Sequence, residues 1–93
     1  MTDELLDLKR MMIADLDREI MTLLRRRLDC VIEIGRYKAE HGMEVHNPAV
    51  EQKVVDRYRG LAEELGMDPE IAERICRTVM EESIANENAV KDR

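Results

Sequence analysis

Apolar residues recur at helical spacing along the first part of the chain: Leu5, Leu8, Met12, Leu16, Ile20, Leu23, Leu24, Leu28, Val31 and Ile34. No Pro or Gly interrupts them before Gly35, so the pattern predicts one helix from about Glu4 to about His41. At about 1.5 Å per residue that helix spans roughly 57 Å, whereas a compact chain of this length has a radius of gyration of about 12 Å. Such a helix outreaches what its own chain can wrap.

Gly42 marks its end, and Thr2 or Asp3 is suited to cap its start. Asn47-Pro48 and Asp68-Pro69 each set an N-cap residue before a proline at the first helical position. They predict a second helix from Pro48 to about Leu65, closed by Gly66, and a third from Pro69 to about Lys91. Val50, Val54, Tyr58, Leu61 and Leu65 read as the inward side of the second helix; Ile71, Ile75, Val79, Ser83, Asn86 and Val90 read as that of the third. Gly35 and Gly60 each cost about 1 kcal/mol against Ala inside a helix, which points to close packing at both. No stretch reads as a strand. The expected architecture is therefore all-α, a single domain over residues 1–93 with one very long N-terminal helix and two shorter ones. A symmetric, intertwined homodimer is the simplest way to cover the long helix.

The apolar stripe of the first helix carries charge. With Leu16 set at zero and about 100° per residue, Ile34 falls near 0°, Leu23 near −20°, Ile20 near 40° and Val31 near 60°. On the same scale Arg27 falls at about 20° and Lys38 at about 40°. Asp15, Glu19, Asp29, Glu33 and Glu40 project to the far side, and Asp17 lies at the edge. Unpaired buried charge is costly, so Arg27 and Lys38 need an anion from another element, another chain or a ligand. Glu51, within the apolar arc of the second helix, and Glu87, on the flank of the third, are candidate partners.

Composition narrows the classes. With 93 residues the chain is too small to bury a generous core alone, which also favours self-association. A formal charge of −6, with no Trp or Phe to stack bases, argues against a nucleic-acid surface despite the run Arg25-Arg26-Arg27. No apolar run approaches the length of a membrane span, and the acidic, amphipathic start is unlike a signal peptide, so a soluble cytoplasmic protein is expected. The two cysteines, Cys30 and Cys76, lack a CxxC partner and read as small packing residues. His41 and His46 flank a glycine-containing loop in no metal-ligand spacing and read as polar loop groups.

The order Arg10, Asp17, Arg27, Gly35, Lys38, Asn47-Pro48 with Glu51, then Glu82-Ser83 and Glu87 resembles the all-helical chorismate mutases of the AroQ class. The resemblance runs from about Leu5 to Val90 without gaps at the charged positions. It implies an intertwined dimer of three-helix chains that converts chorismate to prephenate on the way to phenylalanine and tyrosine, with no metal or cofactor. It further implies that Arg27 and Lys38 of one chain, with Arg10 from the other, bind the two carboxylates of chorismate. Lys38 would also donate to the ether oxygen, with Glu87 opposite. Glu51 and the backbone near Asn47 would hold the ring hydroxyl, and Ser83 would contact a carboxylate. In this reading Lys38, Glu87 and Arg27 carry the catalysis.

The chain departs from that pattern at two places. Val50 stands where many bacterial members have an arginine, and Glu87 stands where many have glutamine. A glutamate donates to the ether oxygen only when protonated. Two alternatives share these residues: an isochorismate pyruvate lyase on the same fold, and a non-catalytic helical dimerisation or regulatory module whose buried cations merely pair with Glu51 and Glu87.

Overall fold

A computed structural model describes residues 2–92 and contains three helices and no strand among them: α1 (Asp3–Glu40), α2 (Pro48–Glu64) and α3 (Pro69–Lys91). The all-α, three-helix architecture expected from the apolar pattern is the one observed.

Local chemistry explains each boundary. Thr2 Oγ1 accepts from Leu5 N at 3.2 Å, so Thr2 caps α1. Asn47 Oδ1 accepts from Val50 N at 3.3 Å, and Asp68 Oδ1 accepts from Glu70 N at 2.9 Å, each ahead of a proline. At the other end, Gly42 (φ 63°) lets Met43 N donate back to Lys38 O at 2.8 Å. Gly66 (φ 68°) does the same for Met67 N and Ala62 O, also at 2.8 Å. Both are left-handed helix stops that satisfy terminal carbonyls, and both need glycine.

The chain divides into two compact units, residues 1–30 and 31–93. The first is helix alone. Leu8, Ile13, Leu16, Ile20 and Leu23 are more than half exposed there, because a single helix has nothing of its own to lay over an apolar stripe. Cys30 is also exposed, against the expectation of a packing role. No helix among the described residues is long and apolar enough to cross a membrane.

The second unit holds the end of α1 with α2 and α3. Its core is Val55, Cys76 and Met80, with Val54 and Tyr58 packed against them. Ala62 and Ala72 are buried as well, so the α2–α3 seam is built from small side chains that let the helices approach closely. Arg59 of α2 ties the seam from outside, bonding Glu70 at 2.8 Å and Glu73 at 3.0 Å on α3.

The inward sides read from the sequence match this seam in part: Val54 and Tyr58 pack on its core, and Val79, Ser83, Asn86 and Val90 are half-buried. Val50, Leu61, Leu65, Ile71 and Ile75 are exposed in the single chain, while Val55, Ala62, Ala72 and Cys76 are buried. Each of these helices thus carries further apolar residues that the single chain leaves uncovered. Gly60 also departs from expectation, since a Cβ built there meets nothing within 4 Å. Gly35 is different. A Cβ there would lie 3.2 Å from Glu87 Cα and 3.5 Å from Val90 Cβ, so its bare backbone permits the approach of α1 to α3.

Candidate active site

In the second unit that approach creates an ion pair. Lys38 Nζ lies 2.9 Å from Glu87 Oε1, with side chains 18% and 9% exposed. Lys38 sits one turn beyond Gly35 on α1, and Glu87 is the residue of α3 against which Gly35 rests. The glycine and the lysine therefore act as one device, the first bringing the backbones together and the second reaching across.

Lys38 Nζ also donates to Val45 O at 3.1 Å, which fastens the loop between α1 and α2. Val45 is itself buried. An ammonium has three donors, and this bond uses one of them. Glu87 Oε1 is buried and receives no well-aligned hydrogen bond among the described residues, although the ammonium lies at ion-pair distance. At that distance the ammonium compensates the charge of the carboxylate directly, and with Val45 O also bound it leaves one of its three donors for a ligand.

The loop carries the arrangement onward. His46 follows Val45, and its Nδ1 lies 2.9 Å from Glu51 Oε2 on the first turn of α2. That oxygen too is buried without a well-aligned hydrogen bond among the described residues. A linked series results, from Glu87 to Lys38, through Val45 O to the loop, and from His46 to Glu51.

Lys38, Glu87 and Glu51 are site residues expected from the sequence, in which His46 reads as a polar loop group. A signal for it exists. With Asn47 as N-cap, His46 is the residue before the cap and Glu51 the fourth of the helix, the spacing at which side chains meet across a helix start. His41 stays a surface residue, stacked on Tyr37 with ring centroids 4.0 Å apart.

The remaining expected residues fall as follows. The side chain of Asn47 is engaged as the cap of α2. Ser83 Oγ donates to Val79 O at 2.9 Å and is half-buried in α3. Val50 is exposed beside the cap. In the first unit Arg27 is half-buried, while Arg10 is exposed and 4.0 Å from Asp7. The two charged ties of the α2–α3 seam show perturbed ionisation. Hydrogen bonds from Arg77 and Arg59 hold the Glu73 carboxyl below its ordinary range, and the bond to Glu70 raises the Arg59 guanidinium.

Comparison with known proteins gives the family. Residues 9–88 match the family described as chorismate mutase type II. Over 76 residues, 82% of the chain, it is 37% identical to the T-protein of Haemophilus influenzae and 36% identical to that of Enterobacter agglomerans. The matched region is 20% of each of those T-proteins, so the chain spans about a fifth of their length. It is 30% identical to the 4-amino-4-deoxychorismate mutase of Streptomyces venezuelae over 78 residues, 84% of this chain and 76% of that one. The match covers α1 from its second turn through to Glu87 and the residue after it, and the chain belongs to the chorismate mutase type II family.

Proposed function

We propose that the chain is a chorismate mutase, rearranging chorismate to prephenate in the biosynthesis of phenylalanine and tyrosine. The observation that carries this reading is the Lys38–Glu87 pair, held across two helices in a family whose substrate is a dianion. An ammonium with donors beyond the one given to Val45 O is suited to meet such a substrate.

In the rearrangement the ether C–O bond breaks as a new C–C bond forms within one molecule, and negative charge develops on the ether oxygen. The protein has two tasks. It holds the reactive pseudo-diaxial conformer, which supplies orientation. It also stabilises the developing oxygen charge, which supplies electrostatics. Lys38 performs the second by donating to the ether oxygen, with protonated Glu87 donating from the other side. Arg27 and Lys38, joined by the partner's Arg10, bind the two carboxylates by charge-assisted hydrogen bonds. Ser83 reaches a carboxylate by turning its hydroxyl proton away from Val79 O. Glu51 and the backbone near Asn47 hold the ring hydroxyl.

The dimer completes this picture. The stripe of Leu8, Leu16, Ile20 and Leu23 in the first unit is apolar surface for a second copy to cover, and in the second unit Leu61, Ile71 and Ile75 are exposed as well. Pairing of two copies brings the Arg10 of one to the Lys38 of the other. We place the protein in the cytoplasm.

Loss of chorismate absorbance on adding the purified protein, with acid conversion of the product to phenylpyruvate, is the expected result. Turnover of isochorismate alone would establish the lyase instead, and turnover of neither would leave a dimerisation module. Lys38→Ala should lower kcat by about 10²–10³-fold, the usual cost of losing one donor aimed at developing charge. The name of the Streptomyces venezuelae relative puts an amino group where chorismate has its ring hydroxyl, so the aminated analogue is the second substrate to assay.

A further inference from the structure

His46 is fixed in place by its neighbours on both sides. Val45 is buried, and its carbonyl is bound by Lys38 at 3.1 Å. Asn47 is committed to capping α2. Between these two anchors the imidazole lies over Glu51, with Nδ1 2.9 Å from Oε2. The His46 side chain is 65% exposed and that of Glu51 28%, so the ring sits on the solvent side of the carboxylate.

A 2.9 Å contact with an ionised carboxylate is favourable when Nδ1 carries a proton, since a bare nitrogen lone pair would face a carboxylate lone pair. His46 is then either the Nδ1–H tautomer or the imidazolium, and each sets positive charge against Oε2. Glu51 thereby presents a weakened negative potential to whatever else it binds.

A hydroxyl and an ammonium respond differently to that weakening. A hydroxyl needs one acceptor lone pair, and an ionised carboxylate offers about four. An ammonium draws most of its binding from the net negative charge, so a nearby positive group costs it more.

We propose that His46 is a specificity-determining residue which, through Glu51, favours a neutral hydroxyl over a cationic amino group on the substrate ring. This rests on the reading in which Glu51 holds the ring hydroxyl of chorismate. His46 touches Glu51 rather than substrate and acts by tuning it.

The test compares kcat/KM for chorismate and for 4-amino-4-deoxychorismate at one fixed pH, in the wild-type protein, His46→Ala and His46→Arg. The ratio of amino to hydroxyl substrate should rise in His46→Ala and fall in His46→Arg. The two variants should differ by about threefold, the effect of one unit charge roughly 6–7 Å away, across the carboxylate, in water-like surroundings. A merely structural His46 would slow both substrates together, so a ratio equal in all three proteins overturns the proposal. A ratio that rises in both variants overturns it too, since charge would not then be the cause. If the wild-type protein turns over neither substrate, the mutase reading fails and this proposal fails with it. Turnover with an unchanged ratio removes this proposal alone.

Discussion

Gly35 and Glu87 meet backbone to backbone: a Cβ added to the glycine would stand 3.2 Å from Glu87 Cα and 3.4 Å from its Cγ. A rotamer change relieves a clash with a side-chain tip, but not one with the α3 backbone. The space that a missing methyl leaves thus governs where Glu87 stands relative to Lys38.

Gly35→Ala sets two effects against each other. Alanine is about 1 kcal/mol better than glycine inside a helix. Against that, α3 must give by a few tenths of an ångström at Glu87. The fold should survive, with stability within about 1 kcal/mol of wild type by urea unfolding at fixed protein concentration. The rate should not: kcat for chorismate should fall about tenfold, because small misplacement of positioned groups is expensive in rate. A variant of wild-type kcat would show that the close approach is not needed at the site.

Glu87 itself predicts a pH dependence. Without substrate it faces the Lys38 ammonium at 2.9 Å. Donation to the ether oxygen requires the carboxyl to hold a proton, so turnover should fall as pH rises. Glutamine donates at any pH, and Glu87→Gln should flatten the profile of kcat. The same slope in wild type and variant would rule Glu87 out as a donor.

Stability in acid should depend on Glu73. Its carboxyl is bonded by Arg77 and Arg59, which lowers its pKa below the ordinary 4.5. A group lowered in the folded state contributes stability that is complete above its unfolded value and is lost as pH falls through the folded one. Glu73→Gln should therefore be less stable than wild type at pH 7, and the gap should close below about pH 4.5. Urea midpoints of both proteins at the two pH values check this, and 1 M salt should shrink the gap at pH 7 because the network is solvent-facing. A gap that stays constant into acid would mean that Glu73 acts by packing.

Much of the fold was legible because its signals are local. A helical period without Gly or Pro before Gly35, and two Asx-Pro starts, define three helices from neighbouring residues alone. Which apolar residues of α2 and α3 turn inward is not a local matter. Val50, Leu61, Ile71 and Ile75 are apolar too, yet the chain closes on Val55, Ala62, Ala72, Cys76 and Met80, a choice that periodicity alone does not make. At the candidate site, Lys38 and Glu87 stand out as charges beside apolar stripes. The tie from Lys38 to Val45 O leaves no trace in side-chain identity, since any residue offers a carbonyl. The pairing of His46 with Glu51 is hard to read from the sequence because it spans a helix cap, where spacing carries little charge signal.

The central claim, a chorismate mutase site assembled from two copies of the chain, is tested most directly by mixing two inactive variants. Chains carrying Arg10→Ala and chains carrying Lys38→Ala are unfolded together, refolded at equal concentration, and assayed for loss of chorismate. Half of the dimers formed at random are mixed, and each holds one complete site, so activity should return to about a quarter of wild type. Mixed dimers verified by native mass spectrometry yet still inactive would contradict a site shared between chains.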